Sequence, residues 1–345
     1  MSKTYIYGAG ELATQVFKMC ATAEIKVDGF IDPKKVGTTY NGYVVQSVDD
    51  LPSGSRVFIA VLNNFVHIPG VVKDLANAGA SEILTPPQVF FMFGESGQTV
   101  EWYWLSTSKK YVHDLADKSR LLLEPILDEH SLFTLDHLLQ YRCGNNKNEE
   151  SYLHVENQYF ESGISGFWDG PVFLLDGGAY TGDTIIEALK RNIDLKSVYA
   201  FEPDPQNFHK LCENVENLKV KTVAFQAALN DKNALAYFNF TSGTGSSISN
   251  RETIPNTQLI EFDSSIIGFP VSHIKLDIEG GEAKALQGMS RSIKLNNPRM
   301  AISVYHKPDD LFTLPNLIMS LGNYSRYTLK NYAHQSFETI FYASP

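Results

Sequence analysis

The sequence predicts an α/β protein with a doubly wound parallel sheet in its C-terminal half and a smaller Rossmann-like unit at its N-terminus. Two stretches lead to this prediction. In residues 171–204 an apolar run ends in Asp176-Gly177-Gly178, a helical pattern follows, and a second apolar run ends in Glu202. In residues 4–32 an apolar run leads into Gly8-Ala9-Gly10 and a helical pattern, and the next run ends in Asp32. Each is the strand, glycine turn, helix, strand and acid of a nucleotide-binding half-sheet.

The acid and the glycines of the C-terminal stretch indicate what this unit binds. A carboxylate at the tip of the second strand accepts hydrogen bonds from both hydroxyls of a ribose, and Glu202 lies close to the usual ~20 residues beyond the glycines. The turn reads DGGAYTGD rather than the G-x-G-x-x-G of dinucleotide sites. An acid beside the glycines favours a ligand with a cationic amino group, such as S-adenosylmethionine (SAM).

Four ordered segments carry a specific resemblance. Residues 171–204, FEPDP at 201–205, IKLDIEGGE at 274–282 and SVYHKPDDL at 303–311 resemble the FkbM family of SAM-dependent methyltransferases, over roughly residues 151–345. The resemblance implies SAM as cofactor and a class I methyltransferase sheet with a reversed last strand, made by residues 324–331 and 338–342. The residues expected to bind SAM are Asp176, Gly177, Gly178, Ala179, Thr181, Glu202, Pro203, Ala228 and Asp277.

Amino-acid composition restricts the classes of partner and the location that we expect for this protein. With 43% hydrophobic and 20% charged residues the chain is an ordinary globular protein, and its net charge of −10 argues against a nucleic-acid partner. No apolar run is long enough to span a membrane and the start does not resemble a signal peptide, so we expect a cytoplasmic protein. The three scattered cysteines give neither a disulfide framework nor a zinc spacing, as expected in a reducing compartment. A homodimer is compatible with the sequence.

The N-terminal glycine turn has its own resemblance. Residues 8–13 read GAGELA, and together with GFID at 29–32, GYVV at 42–45 and DDLP at 49–52 they resemble the nucleotide-sugar-binding domain of certain bacterial sugar acetyltransferases. The resemblance implies a nucleotide or nucleotide sugar, with these expected contacts: Gly8, Gly10, Glu11, Leu12, Asp32 and Asn63. The alternative is a scaffold whose glycines only make a tight turn. NAD is disfavoured because the second mononucleotide half is missing.

We divide the chain into a Rossmann-like domain at 1–87, a helical connector at 88–150 and a methyltransferase domain at 151–345. The polar stretch GNNKNEE at 144–150 is the clearest linker. The connector is rich in aromatic residues, which we expect in inter-domain core rather than in a ligand cage: Phe90, Phe91, Phe93, Trp102, Tyr103 and Trp104. Extra antiparallel strands are expected at 234–240 and 259–263.

Five polar residues follow the main strands of the C-terminal sheet: Asp176, Glu202, Asp277, Glu279 and His306. Because ligands of open parallel sheets bind at the carboxyl ends of strands, these residues should share one crevice. His306 is expected to be the general base that removes the proton of an acceptor hydroxyl, and its alternative role is a structural pair with a carboxylate. For Asp277 three roles stay open: orienting the acceptor, acting as the base and binding the SAM amino group.

Other candidates near this crevice are less defined. Asp277, Glu279 and His306 offer ligands of the kind that a divalent cation takes, but no metal is predicted. Ser246 and Ser247, in a polar loop, are candidates for contacts with SAM or the acceptor, and a plain surface loop is the alternative. Tyr159 belongs either to a lid over the ligand or to the core.

The function expected from these residues and resemblances is SAM-dependent O-methylation of a sugar, glycan or nucleotide-sugar intermediate, as in surface-polysaccharide biosynthesis. The alternative is a nucleotide-sugar-binding or sensing protein whose methyltransferase domain binds SAM without turnover. A nicotinamide oxidoreductase that uses residues 8–13 lacks an evident site for hydride transfer.

Overall fold

The computed structural model describes residues 2–145, 153, 158–160, 164, 166–239, 247–249 and 256–345. Most of the predicted linker, from residue 146 onward, and Ser246 lie outside the described residues. Within the described ranges no helix has the length and apolar character needed to cross a membrane.

The N-terminal unit is a parallel sheet with helices on both faces. Its elements are β1 (Thr4–Tyr7), α1 (Glu11–Thr22), β2 (Gly29–Ile31), the small hairpin β3 (Thr39–Tyr40) and β4 (Tyr43–Val44), β5 (Arg56–Ile59), α2 (Ile68–Asn77) and β6 (Glu82–Leu84). The strand order β2-β1-β5-β6 places the ends of β1, β2 and β5 side by side. The Rossmann-like arrangement predicted from the glycine turn is confirmed.

The connector is shared between two hydrophobic cores. It comprises α3 (Pro86–Glu95), β7 (Glu101–Trp102), β8 (Leu105–Ser106), α4 (Lys109–Leu123) and α5 (Glu129–Arg142). Phe90, Phe93 and Trp104 pack in the core of the N-terminal unit, whereas Leu135 and Leu138 pack in the core of the C-terminal sheet. The connector therefore joins the units through apolar burial, which is the dominant favourable term in folding.

The C-terminal unit is built on a seven-stranded sheet of order β11-β10-β9-β16-β17-β19-β18. Its strands and helices are β9 (Val172–Gly177), α6 (Asp183–Lys190), β10 (Leu195–Phe201), α7 (Pro205–Val215), β11 (Lys221–Phe225), β12 (Ala227–Asn230), β13 (Ala234–Asn239), β14 (Ser247–Ser249), β15 (Thr257–Glu261), α8 (Phe262–Ser265), β16 (His273–Leu276), α9 (Glu282–Gly288), α10 (Ser290–Asn296), β17 (Arg299–Ser303), α11 (Asp310–Leu321), β18 (Arg326–Asn331) and β19 (Thr339–Ser344). Strand β19 runs antiparallel between β17 and β18. The predicted sheet with a reversed last strand is confirmed.

A second, four-stranded sheet of order β12-β15-β13-β14 lies beside the main one. The extra antiparallel strands predicted from the sequence are β13 and β15, which pair antiparallel. The strand predicted at residues 259–263 ends two residues earlier than expected, and Phe262 and Asp263 begin α8. The Asp263 carboxylate accepts hydrogen bonds from the backbone N–H groups of Arg291 and Ser292 at the start of α10, which fixes this boundary. Phe240 lies outside the described residues.

The segment between β18 and β19 brings the two units together. The Gln335 amide donates hydrogen bonds to the carbonyl oxygens of Asn63 and Val66, at 3.0 and 3.1 Å. Arg142 of α5 donates to the Ser336 hydroxyl at 2.9 Å. Gln335, Ser336 and Glu338 all have positive φ, a conformation that non-glycine residues adopt at a cost. These contacts hold the loop in place at the edge where both sheets end.

Candidate functional site

A cavity of about 600 Å³ lies where the carboxyl ends of the two sheets face each other. The C-terminal unit contributes residues that follow β9, β10 and β16, among them Gly178, Glu202, Asp277 and Glu279. The N-terminal unit contributes residues 62–64, which follow β5. A volume of this size suits a cofactor or a small organic ligand.

The glycine turn after β9 is required by close packing. Gly178 has φ +74, and a Cβ atom there would collide with the carbonyl oxygen of Asp277. The backbone N–H groups of Gly178 and Ala179 both donate to the carbonyl oxygen of Phe201, each at 3.0 Å. The turn therefore brings the backbone against the end of β16, and these two N–H groups serve the fold rather than a ligand.

Asp176 is not in the cavity, which corrects the expectation that it binds SAM. Its side chain is completely buried, and its Oδ1 lies 3.0 Å from the Nζ of Lys275, which also donates to the Gly178 carbonyl oxygen at 2.7 Å. Burial raises the pKa of Asp176, and the Lys275 ammonium opposes that shift. Breaking such a buried pair leaves an uncompensated charge, so Asp176 and Lys275 fasten the glycine turn to β16.

Glu202 follows β10 and lies in the cavity wall as expected. One oxygen accepts from the backbone N–H of Tyr180 at 2.9 Å and the other from that of Asp204 at 2.9 Å. A carboxylate has about four acceptor positions, so each oxygen keeps one for a ligand. Burial raises the pKa of Glu202 to about 7, against the effect of these two hydrogen bonds.

Asp277 follows β16 and also lines the cavity. The hydroxyl of Tyr305 donates to its Oδ1 at 3.3 Å, and the hydroxyl of Tyr159 lies 3.5 Å from its Oδ2. Tyr159 is almost completely buried beneath the carboxylate, so it packs in the core and does not form a lid. The two phenol hydroxyls thus hold the Asp277 carboxylate, which stays open to the cavity on its remaining side.

His306 is enclosed by carboxylates. Its Nδ1 lies 3.0 Å from Glu282 Oε1, and its Nε2 lies 3.4 Å from Asp277 Oδ1 and 3.7 Å from Glu279 Oε2. Burial would lower the pKa of His306, but the charge of Glu282, then those of Glu279 and Asp277, outweigh burial and raise the pKa to about 10. The ring does not line the cavity and holds its proton at neutral pH, so these surroundings favour the structural pair over the general base.

Two further carboxylates reach the cavity. Burial raises the pKa of Glu279 to about 8, with His306 opposing the shift and Asp277 adding to it. Burial also raises the pKa of Glu338, reinforced by the charge of Asp277, although Gln158 donates to it at 2.7 Å. A buried carboxylate with a raised pKa is a stronger base than one in water, which makes both residues candidates for acid–base catalysis.

Among the other predicted cofactor contacts, Pro203 and Ala228 line the cavity, whereas Gly177, Ala179 and Thr181 do not. Ala179 is completely buried. The Thr181 carbonyl oxygen accepts from Asn214 at 2.8 Å. Ser247 begins strand β14. The cavity thus gathers about half of the predicted set, and the rest support the turn.

The N-terminal glycine turn holds its own polar groups. Asp32 accepts from the backbone N–H of Ala9 at 3.1 Å and from that of Lys34 at 3.0 Å. Leu12 is buried in the core, so its side chain cannot touch a ligand. Gly10 precedes α1 with open space around its Cβ position, and Glu11 is exposed. Gly8, Gly10, Glu11 and Asp32 therefore lie together, whereas Asn63 belongs to the segment after β5 that lines the cavity between the two units.

Several residues of the cavity were missed by sequence reasoning. Tyr103, Tyr305, Phe337 and Glu338 all line it. Tyr103 stands in an aromatic run whose other members are mostly core, and residues 337–338 lie between two strands with no motif around them. For Lys275 a signal existed, since a lysine within the apolar run HIKL requires a buried partner.

Comparison with known proteins bears on this site. Residues 176–328 match the family model described as the methyltransferase FkbM domain. These residues include the ends of β9, β10 and β16. The match supports a methyltransferase.

The C-terminal and N-terminal units together also have a structural counterpart. The crystal structure of Methyltransferase FkbM from Methylobacillus flagellatus KT is similar with a TM-score of 0.76, 20% sequence identity, and coverage of 99% of this chain and 90% of that chain. At this identity the likeness shows a shared fold, which includes the N-terminal unit. No curated protein matches the chain.

Proposed function

We propose that the chain is a SAM-dependent O-methyltransferase that methylates a hydroxyl of a sugar or of a glycan or nucleotide-sugar intermediate. One observation carries the proposal: Glu202 after β10 and Asp277 and Glu279 after β16 line the same cavity of about 600 Å³. A ribose-binding acid and a pair of acids two strands away at the same edge of the sheet are what a methyl donor and a hydroxyl acceptor need side by side.

The residues present fit SAM. The free acceptor positions of Glu202 suit the two ribose hydroxyls. Phe201, Pro203 and Ala228 form an apolar wall next to Glu202, where the adenine ring would pack. When bound, SAM supplies an electrophilic methyl group on a sulfonium, and its positive charge favours a cavity lined by carboxylates.

Asp277 replaces Asp176 as the proposed partner of the SAM amino group. Asp176 is buried and paired with Lys275, whereas about a quarter of the Asp277 side chain is exposed (24%) and faces the cavity. The hydroxyls of Tyr159 and Tyr305 and the charge of His306 fix its orientation. A carboxylate held in this way binds an ammonium without losing rotational freedom at binding.

The remaining cavity wall suits a hydroxyl-rich acceptor. Glu279 and Glu338 accept hydrogen bonds from hydroxyl groups, and Lys284 and Lys307 donate to oxygen. Tyr305 and Phe337 pack edge to face with ring centroids 5.7 Å apart and offer apolar surface to the carbon face of a sugar ring. This mixture of aromatic and paired polar groups supports the sugar acceptor.

We assign the base to Glu279 rather than to His306. Glu279 reaches the cavity, and its pKa of about 8 lies near the operating pH, where general bases are most effective. It would accept the proton of the acceptor hydroxyl as the oxygen forms its bond to the methyl carbon and the bond from that carbon to the sulfonium sulfur breaks. The Nε2 atom of His306 lies 3.7 Å from Oε2 of Glu279. His306 keeps its own proton and offsets the charge of the neighbouring carboxylates.

The test is methyl transfer from tritium-labelled SAM to a panel of nucleotide sugars and free hexoses. Label in a sugar, lost in Glu279→Gln, would support the enzyme. SAM binding without transfer to any member of the panel would favour the alternative, a sensing protein that binds SAM without turnover.

A further inference from the structure

One wall of the cavity is built partly by residues outside the family match at residues 176–328. Residues 62–64 follow β5 of the N-terminal unit, and Tyr103 belongs to the turn between β7 and β8. All of them line the same cavity as Glu279 and Glu338. The cavity is therefore closed on this side only because the two units are joined.

The 62–66 segment is held rigidly in that position. Gln335 donates to the carbonyl oxygens of Asn63 and Val66. The side-chain oxygen of Asn63 accepts from the backbone N–H groups of Phe65 and Val66, both at 3.0 Å, which makes a closed turn. Asn63 therefore serves the turn, and Asn64 is the amide that the turn presents to the cavity.

Tyr103 is fixed from the other side. Its backbone has φ +50, and its ring packs against that of Phe337 with centroids 5.7 Å apart. Partial burial raises the pKa of Tyr103, and the charges of Glu279 and Glu11 add to the shift. A strained tyrosine at a cavity wall is a common sign of function.

Both groups keep their hydrogen-bonding capacity unused. Across the described part of the chain, no hydrogen bond is formed by the Asn64 amide or by the Tyr103 hydroxyl, although the neighbouring Asn63, Gln335 and Gln158 side chains are all engaged. An amide and a phenol offer both donors and acceptors, as a sugar hydroxyl requires.

We infer that Asn64 and Tyr103 are specificity-determining residues that bind hydroxyl groups of the acceptor, so that the N-terminal unit and the connector choose the sugar which the methyltransferase domain modifies. The inference rests on the proposed function. A site built to hydrogen-bond a hydroxyl rejects an analogue that lacks the hydroxyl, because its buried polar groups are then left unpaired.

The experiment compares Asn64→Ala and Tyr103→Phe with matched controls that delete the same groups elsewhere, Asn77→Ala at the exposed end of α2 and Tyr111→Phe on α4. The assay is tritium transfer to the best acceptor of the sugar panel and to its deoxy analogues. Each test variant should raise the acceptor KM by about 2- to 12-fold, the worth of one hydrogen bond, with kcat and S-adenosylhomocysteine affinity within a factor of two.

Discrimination gives a second readout. The wild type should prefer the parent sugar over one deoxy analogue, and the variant that lost the matching contact should lose most of that preference. If the wild type transfers methyl groups but both variants behave like their controls, the inference is wrong and the function stands. If the wild type transfers to no sugar, the proposed function fails and this inference with it. Melting temperatures of the two variants that equal that of the wild type would exclude misfolding as the cause of a raised KM.

Discussion

The Nδ1 atom of His306 lies 3.0 Å from Oε1 of Glu282, and both side chains are almost completely buried. The same Glu282 oxygen accepts from the backbone N–H of Ile278 at 2.9 Å, so it also shapes the turn that carries Asp277 and Glu279. His306 thus acts on the site through its neighbours. Its motif is recognisable in the sequence, but its charge state follows only from the three carboxylates around it.

His306→Ala should therefore destabilise the protein. Removing one partner of a buried ion pair leaves the other charge uncompensated, at a cost of about 3–5 kcal/mol. We expect a clearly lowered melting temperature, whereas His209→Ala, at an exposed position, should melt like the wild type. A variant that keeps its melting temperature and S-adenosylhomocysteine binding but loses turnover would restore His306 as the base.

The same pair predicts how stability depends on pH. The pKa of His306 is raised in the fold from 6.5 to about 10, so its contribution to stability is complete below about pH 6.5 and is lost as the pH rises towards 10. The melting temperature of the wild type should fall more steeply between pH 7 and 10 than that of His306→Gln. Parallel curves for the two proteins would show that the histidine is neutral in the fold.

Glu202 should make SAM binding depend on pH. Its pKa of about 7 means that it becomes protonated below neutrality and then loses acceptor positions for the ribose. The Kd for SAM should rise by up to about tenfold between pH 8 and pH 6. The amino group of SAM titrates in the same range, so Glu202→Gln is the control: the difference between the two proteins reports Glu202. Equal pH dependence in both would remove the carboxylate from the cofactor site.

Glu279→Gln should lower kcat by about 10²–10⁴-fold with SAM affinity changed little, because a general base contributes that much. In the wild type the rate should climb as the pH rises to about 8, where Glu279 loses its proton. Glu338→Gln is the informative comparison, since it removes the neighbouring cavity carboxylate. A large loss of kcat in that variant, with Glu279→Gln still active, would move the base to Glu338.

Gly10→Val tests the N-terminal turn. We expect nucleotide sugars to raise the melting temperature of the wild type and not of the variant, because a branched side chain would fill the open space at the start of α1. Gly97→Val, at an exposed turn where φ is +82, shows how much a glycine-to-valine substitution by itself lowers stability. No shift by any nucleotide near millimolar concentration would make the turn a scaffold, in keeping with Asp32 being bonded within it.

Sequence reasoning located the fold because strand and helix signals were local. The glycines at 8, 10, 177 and 178 mark strand ends, and the acids at 32 and 202 mark the next strands. Alternating apolar runs were enough to predict the parallel sheet, whereas its reversed last strand was predicted from the family resemblance. Element ends were less certain, as at residues 262–263, where a contact with α10 decides the boundary.

The acidic residues of the cavity were predicted where they follow strands of the C-terminal parallel sheet. Glu202, Asp277 and Glu279 were found in this way, whereas Asn64, Tyr103 and Glu338 reach it through the docking of the two units. Asp176 was misplaced because the sequence does not show that Lys275 lies opposite it on the neighbouring strand. Packing decides whether an acidic residue at a strand end is buried in an ion pair or faces a ligand.

The central claim is most directly tested by calorimetric titration of the protein with SAM. We expect binding in the micromolar range at pH 8, weakened by about 1.5–3 kcal/mol in Glu202→Ala, the worth of hydrogen bonds to a charged group. The control Glu216→Ala, at an exposed position at the end of α7, should bind SAM like the wild type. No binding of SAM, together with tight binding of NADH that Glu202→Ala abolishes, would contradict the account.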